Sequence, residues 1–330
     1  METRSVGFLG FGKYIPEKVL TNYDLEKMVD TSNEWIVERT GIKERHIAAP
    51  DQATSDLAFN AAQQALVNAG ITAEDLDCII VATVSPDMLF PSTACILQDK
   101  LGAKKAAAFD LSAGCSGFVY GSAVASQMIA SGLYKYVLVV GAETLSRIMN
   151  WKDRNTCVLF GDGAGAAVLG PVEKGYGIQA IELGAEGKGG PSLYMPAGGS
   201  RKPASHETVD AAEHYIHMNG TEVFKFAIRI MVRTTNHLLE KTGLTKEDID
   251  LIIPHQANSR IVDSAAKRLK LTPDKIMIDL DKYGNTSGGS IPIAMCEAAE
   301  QGRYHKGENV VIVGFGAGLT WASMIIKWQA

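Results

Sequence analysis

Short apolar runs without charge recur along this chain, each bounded by polar, turn-forming residues. Tyr136-Val-Leu-Val-Val140 and Asn309-Val-Val-Ile-Val313 are the clearest. Such runs read as strands covered on both faces. Helical segments alternate with them, which predicts α/β architecture. One stretch is longer. No charged residue occurs from Leu111 to Tyr134, which is long enough to span a bilayer. It also carries Ser112, Ser116, Ser122, Ser126, Gln127 and Ser131, with four glycines. A helix with small residues all round and no polar face belongs in a protein core, so a buried helix is predicted.

The pattern repeats. Residues 65–80 read ALVNAGITAEDLDCII and residues 238–253 read LLEKTGLTKEDIDLII, with eight of sixteen positions identical at an offset of 173. Each copy is a helix end, a glycine stop, a Thr-x-Glu-Asp turn and an apolar strand. Downstream, Asp110-Leu111 and Asp279-Leu280 each precede a Gly/Ser-rich loop, a helix and another strand. The period is about half the chain, which excludes a short-repeat solenoid. Two βα-rich halves are expected, 1–171 and 172–330, with ligands at strand ends near their junction. The segment 187–217 is polar and turn-rich, and reads as a long excursion.

Composition narrows the class. The chain has 330 residues, 46% of them hydrophobic, and a net charge of −5. This is an ordinary globular composition and argues against a general nucleic-acid partner. Five scattered cysteines without a CxxC pair fit free thiols in a reducing compartment. The opening Met-Glu-Thr-Arg-Ser-Val-Gly lacks the marks of a signal peptide. A cytoplasmic protein without membrane spans is expected.

Within the uncharged stretch, Cys115 sits between Gly114 and Ser116-Gly117, at the predicted start of the buried helix. Unpaired amides and the helix dipole there favour a thiolate, the reactive form of cysteine. The alternative is a small core residue. The repeat places the loop Tyr283-Gly-Asn285-Thr-Ser-Gly-Gly-Ser290 at the equivalent position in the second half. Pro254-His255-Gln-Ala-Asn258 follows the strand of the second repeat copy, and Gly314-Phe-Gly-Ala-Gly318 follows the last repeat strand. Such a glycine turn lets backbones approach and presents N–H donors.

Gly-Cys115-Ser-Gly, His255-Gln-Ala-Asn, Gly-Asn285-Thr-Ser and Gly-Phe-Gly-Ala-Gly together resemble the thiolase-fold condensing enzymes, most closely the β-ketoacyl-acyl-carrier-protein synthase III family. Thr31-Ser-Asn-Glu-Trp35-Ile-Val-Glu-Arg39 and Phe160-Gly-Asp-Gly-Ala-Gly-Ala166 extend the likeness over essentially the whole length. The resemblance implies a thiolase-like fold, with two duplicated halves in a layered αβαβα core. It implies a Cys115–His255–Asn285 triad. Cys115 takes an acyl group from a short-chain acyl-CoA, with acetyl the first expectation. Malonyl-acyl carrier protein then loses CO2, and His255 and Asn285 hold the enolate oxygen. The amides of Cys115 and Ala317 form the oxyanion hole. No metal or redox cofactor is implied, since CoA is part of a substrate.

The same resemblance implies CoA contacts from Thr31, Trp35, Arg39, Arg154, Gly220, Phe224 and Asn258. Trp35 as a packing anchor and Arg39 as a solvated charge are the plainer alternatives. Phe90 matches a residue that closes the acyl pocket across a homodimer interface. Acyl carrier protein is acidic, so a net-negative enzyme needs a local basic face. Lys225, Gln256, Ala257, Asn258, Ser259, Arg260, Lys267 and Arg268 are the candidates for it, mostly on a helix predicted over 259–270. A solvated charged face is the alternative.

Two glycine motifs, Gly10-Phe-Gly12 and Gly161-Asp-Gly-Ala-Gly165, lack the spacing and acidic partner of a dinucleotide fingerprint. A thiolase proper is disfavoured because no cysteine follows Cys296. Relatives that make quinolones, hydroxymethylglutaryl-CoA or polyketide starters with the same triad stay open. So does the identity of the primer.

Overall fold

The computed structural model describes residues 4–329. Two mixed sheets form its frame. The first contains β1 (Val6–Tyr14), β2 (Cys78–Ala82), β3 (Ala107–Leu111), β4 (Val137–Glu143) and β5 (Gly163–Pro171), in the order β1-β5-β4-β2-β3. The second contains β6 (Gly177–Ala185), β7 (Leu251–Pro254), β8 (Asn309–Gly316) and β9 (Thr320–Lys327), in the order β6-β9-β8-β7. The two orders correspond strand for strand, and so do the directions. β2 pairs with β4 in parallel and β7 with β8 in parallel, and the remaining neighbours of that series are antiparallel. The place of β3 is taken in the second sheet by a single parallel bridge, Ile252 to Ile276.

The helices fall into three layers. α1 (Asn33–Thr40) lies apart, near the site. α2 (Thr54–Ala69) and α3 (Thr93–Leu101) cover the outer face of the first sheet, burying Leu57, Ala61, Ala65 and Leu97 against Ile79, Leu138 and Val140. α5 (Gly220–Thr242) and α6 (Ser259–Leu269) cover the outer face of the second, burying Ile230, Leu238, Val262 and Ala265 against Ile252, Val311 and Val313. Between the sheets run α4 (Gly117–Ala130) and α7 (Ser290–Glu300). Their Phe118, Val119, Ile129, Ile291 and Met295 share one core with Val137, Val139, Val310 and Ile312. Each large apolar side chain so buried contributes about 1.5–3 kcal/mol. The result is an αβαβα sandwich, and α4 is the uncharged helix expected in a core.

Both glycine motifs are absorbed by packing. A Cβ on Gly12 would lie 2.1 Å from the Ala61 carbonyl oxygen, so α2 rests directly on β1. A Cβ on Gly165 would lie 2.6 Å from the Ile293 amide nitrogen, so α7 rests directly on β5. The segment 187–217 is an excursion, with a 3-10 turn at Gly187–Ser192, a short ribbon of Leu193–Tyr194 with His217–Met218, and a short helix at His206–Asp210. Among the described residues no helix is long and apolar enough to cross a membrane. No group of three or more His, Cys, Asp or Glu among them is placed to hold a metal ion.

Candidate active site

Cys115 lies in a 3-10 turn, Gly114–Ser116, that runs straight into α4 without a side-chain cap. The equivalent turn, Ser287–Gly289, runs into α7 in the same way. Each turn lies where a parallel β–turn–helix unit meets the other half. The backbone amides of Cys115 and Ala317 and the Ser287 hydroxyl lie close enough to the Cys115 sulfur to favour its charged form, and Ser287 and Ala317 line one cavity with it. Gly316 presses on it as well, since a Cβ there would lie 2.9 Å from Sγ.

His255 continues the line of β7, its amide donating to Val313 O at 2.8 Å. Its Nδ1 is 2.6 Å from the Ser290 hydroxyl, and the Phe315 ring meets the imidazole edge-on, with centroids 5.2 Å apart. Asn285 Oδ1 accepts the Ser287 amide at 2.9 Å, which occupies the acceptor end of the carboxamide and leaves its NH2 end to donate. Cys115, His255 and Asn285 line one cavity of about 110 Å3, together with Phe224, Gly220, Asn258 and Gly316. Gly220 and Asn258 also line a wider opening of about 620 Å3, which Trp35 and Arg39 border at the surface. The two spaces share Leu159, Met218, Gly220 and Asn258 as walls.

Behind Cys115 lies a second, largely apolar cavity of about 190 Å3. Leu193, Tyr194, Met195 and Ile216 form one wall of it. These come from the segment read as a polar excursion, whose apolar residues are too few and too scattered to show a period. Ser287, Ser290 and Phe315 were likewise missed, because their importance lies in contacts far off in the chain: Ser287 reaches Glu143 in the other half, and Ser290 and Phe315 meet His255.

The electrostatics correct one expectation. Burial pushes the Cys115 thiol up to about 12, with the Ser287 hydrogen bond and the two amides pulling the other way. A helix start offers about 1–2 kcal/mol toward a thiolate. Raising a thiol from 9.0 to about 12 corresponds to roughly 4 kcal/mol, so burial wins and Cys115 rests as a thiol. Burial also holds His255 down to about 3, so the imidazole is neutral.

At the mouth, the Arg154 guanidinium lies 5.0 Å from the centre of the Trp35 ring and that of Arg39 lies 5.7 Å from it. Asn258 caps α6 and donates to Arg39 O at 3.0 Å, tying the mouth to that helix. Thr31 lies nearby in the chain, with its hydroxyl buried and unpartnered, but it does not line the opening. α6 spans Ser259–Leu269, and Lys270 follows as its left-handed cap. Arg260, Lys267 and Arg268 are exposed on it, and Arg260 reaches over Phe224 on α5. Lys225 is exposed and paired with Glu222 at 2.9 Å. Ala257 and Ser259 are partly exposed.

Gln256 requires a correction. It is 1% exposed, so a protein partner cannot reach it. Its side chain donates to Pro254 O and Met277 O and accepts from the Asp279 amide, which braces the loop that carries His255. Adjacency to His255 in sequence concealed that inward turn. Phe90 lines neither cavity of its own chain. It is 84% exposed, beside the exposed Met88 and Leu89.

Two family models match. That of 3-oxoacyl-[acyl-carrier-protein (ACP)] synthase III covers residues 109–187, and that of its C-terminal region covers 239–328. The chain is 65% identical over 328 residues to a β-ketoacyl-[acyl-carrier-protein] synthase III of Caldanaerobacter subterraneus, covering 99% of both chains. It is 58% identical over 325 residues to one of Desulfitobacterium hafniense, covering 98% of both. The crystal structure of 3-oxoacyl-[acyl-carrier-protein] synthase III from Aquifex aeolicus superposes with a TM-score of 0.91 at 45% identity, over 98% of this chain and 100% of that one. The corresponding enzyme from Thermus thermophilus gives a TM-score of 0.91 at 49% identity, over 98% and 99%. On the strength of these full-length likenesses and of the fold they share, the chain belongs to the β-ketoacyl-[acyl-carrier-protein] synthase III family of acyltransferases.

Proposed function

We propose that this enzyme condenses a short-chain acyl-CoA with malonyl-acyl carrier protein, releasing CoA and CO2 and forming the 3-oxoacyl-acyl carrier protein that begins fatty acid synthesis. The observation that carries this reading is the meeting of Cys115, His255 and Asn285 in one buried cavity, which shares walls with the opening that Trp35 and Arg39 border. The halves 1–171 and 172–330 are its two building blocks, and the site is their seam.

Trp35, with Arg154 and Arg39 beside it, suits an adenine ring and its phosphates, because guanidinium stacks on aromatics and pairs with phosphate. Gly220, Phe224 and Asn258 line the path of the pantetheine arm. Thr31 is assigned to the CoA contacts on the family resemblance, since its hydroxyl is buried and outside the lining of the opening. Cys115 attacks the thioester carbonyl, and the amides of Cys115 and Ala317 receive the tetrahedral oxyanion. The acyl chain enters the cavity behind Cys115, which has room for more than an acetyl group. The exposed Phe90 closes that cavity in the partner subunit of a homodimer.

After CoA leaves, the malonyl thioester binds and loses CO2. Negative charge gathers on its carbonyl oxygen. Asn285 donates to it from its NH2 end. Ser290 Oγ lies 2.6 Å from Nδ1 of His255; with the hydroxyl as donor in this step, the imidazole proton sits on Nε2 and serves the same oxygen. The carbanion then attacks the acyl carbonyl and Cys115 departs. The chemistry is driven by the thioester and by CO2 loss and calls for no cofactor. Arg260, Lys267, Arg268 and Lys225, with Ala257, Asn258 and Ser259 at the rim, form the docking face for the acidic carrier protein. The setting is cytoplasmic.

The test is acylation of pure protein with a panel of acyl-CoAs, read as mass added to Cys115, followed by malonyl-acyl carrier protein and detection of CO2 and the 3-oxoacyl product. Condensation from two acyl-CoA molecules without malonyl carrier would overturn the reading. Preference for malonyl-CoA over the carrier-bound thioester would place the enzyme among the polyketide-type relatives.

A further inference from the structure

A thiol held near 12 beside a histidine held down to about 3 has no evident proton acceptor in its own cavity. The structure supplies one on the far side. Glu143, at the end of β4, is fully buried. Its carboxylate accepts hydrogen bonds from the hydroxyls of Thr83, Ser85 and Ser287 and from the amides of Val84 and Ser85. All five partners are donors, an arrangement that fits an ionised carboxylate. Ser287 Oγ is 3.1 Å from Glu143 Oε1, and Ser287 lines the same cavity as Cys115, close enough for its hydroxyl to act on the thiol. One hydroxyl proton cannot serve both. While Cys115 is a thiol the hydroxyl donates to Glu143 and leaves its oxygen free to accept from S–H; turned toward an ionised sulfur, the same hydroxyl favours the thiolate.

The backbone of Ser287 gives an independent sign. Its φ is +47°, in the left-handed region. Its counterpart at the repeat offset of 173 is Gly114, with φ +55°. Glycine takes this conformation freely, whereas a residue with a Cβ is strained there. A side chain is kept at this point at a cost, and its hydroxyl lies between the nucleophile and the buried acid.

We propose that Glu143, acting through Ser287, takes the Cys115 proton during acylation, stores it through the lifetime of the acyl-enzyme, and returns it when condensation frees Cys115. This rests on the condensing activity proposed above. The balance closes. As Sγ bonds to the acyl carbon, its proton moves to Ser287 oxygen and the Ser287 proton moves to Glu143. The carbon–sulfur bond to CoA breaks, and the CoA thiolate takes a proton from solvent. After CO2 leaves, the carbanion forms the new carbon–carbon bond and the Cys115 thiolate departs. Glu143 then sends its proton back along the same path. One solvent proton is consumed per turnover, on CoA.

Ser287 lies beside the reacting sulfur, and Glu143 is a positioning and proton-holding residue behind it. Burial pushes the Glu143 carboxyl up to about 7, against the pull of its hydrogen bonds to Ser85, Val84, Ser287 and Thr83. On the loop after β2 its neighbours are hydroxyls and amides, as is Ser287. On the turn before α4 it faces Cys115, which is the titratable group among these contacts.

The experiment measures two rates against pH: alkylation of Cys115 by iodoacetamide, which needs only the thiol, and acylation by acetyl-CoA, read as mass. In the wild type both should rise through a midpoint near 7, as Glu143 ionises. Ser287→Gly suits the left-handed backbone and should fold with an unchanged or higher melting temperature. It should slow both reactions about 100-fold and abolish the midpoint. Glu143→Gln should do the same while keeping the shape of the side chain. Wild-type rates and an unchanged midpoint in Ser287→Gly would overturn the relay even if Glu143→Gln fails to fold. A wild type that alkylates normally but accepts no acyl-CoA would instead overturn the proposed function and leave the relay standing.

Discussion

The seam between the two halves is built twice, and the two versions differ. In one, the end of β8 packs on the turn before α4, with Gly316 against Cys115. In the other, the end of β4 packs on the turn before α7, with Glu143 beside Gly288, where a Cβ would lie 3.4 Å from its Oε1. Glu143 and Gly316 are counterparts at the offset of 173, and so are Cys115 and Gly288. Where one seam places a nucleophile against a bare glycine, the other places a bare glycine against a buried acid. The duplication supplied two uncapped helix starts. One of them carries the sulfur and open space, and the other the hydroxyls, the carboxamide and the carboxylate beside it.

The comparison can be broken at several points. Removing the sulfur has the largest effect, and Cys115→Ala should take up no acyl group from any acyl-CoA by mass spectrometry. His255→Ala and Asn285→Ala should separate the two half-reactions. Acylation should remain detectable while decarboxylative condensation falls about 100- to 1000-fold, measured as CO2 release. Equal loss of both half-reactions would contradict the division of labour between the seams. Gly316→Ala makes the first seam resemble an ordinary packed contact. Its Cβ would sit 2.8 Å from Cys115 Cβ and 3.0 Å from the Cys115 amide nitrogen, so acylation should fall about tenfold or more in single-turnover assays. Arg260→Glu with Lys267→Glu leaves both seams intact. It should raise the KM for the carrier protein about tenfold and spare acylation from CoA.

The smallest effect concerns the two aspartates that precede the turns. Asp110 receives the amides of Thr93 and Ala94 at 2.8 and 2.7 Å, whereas Asp279 is buried with Oδ2 unpartnered. Burial, and then the charge of Glu297, pushes Asp279 up to about 8. A carboxyl raised in this way favours the fold in its neutral form. Its contribution is intact below the ordinary value of 3.8 and is lost as pH rises from there to about 8. Asp279→Asn should therefore raise the melting temperature by an amount that grows across that window and then levels. A gain independent of pH would show that Asp279 is not neutral in the folded protein.

The sequence revealed most where chemistry sits at the end of a periodic element. Cys115 and His255 each follow an apolar run, Asn285 sits in a Gly/Ser-rich loop, and the repeat pairs the two turns at its offset of 173. Glu143 closes an apolar strand just as visibly, but its meaning depends on Ser287, 144 residues away. The thiolate expectation failed for a related reason. A helix start is a local feature, whereas the burial that outweighs it is assembled from Phe160, Leu193 and Ala317, far apart in the chain. Gln256 misled because neighbouring residues on a loop can face opposite ways.

The closeness of the seams has a mechanical consequence. A Cβ on Gly141 would lie 2.0 Å from the Gly288 carbonyl oxygen, so at this level main chain rests on main chain with no side chain between. Nothing soft lies there to yield. The two halves cannot slide by a fraction of an ångström to suit a new primer or to relax on warming, and adaptation falls to the walls of the acyl cavity. Nor can the triad loosen ahead of the sandwich that holds it. Heat should extinguish turnover and tertiary structure in a single event.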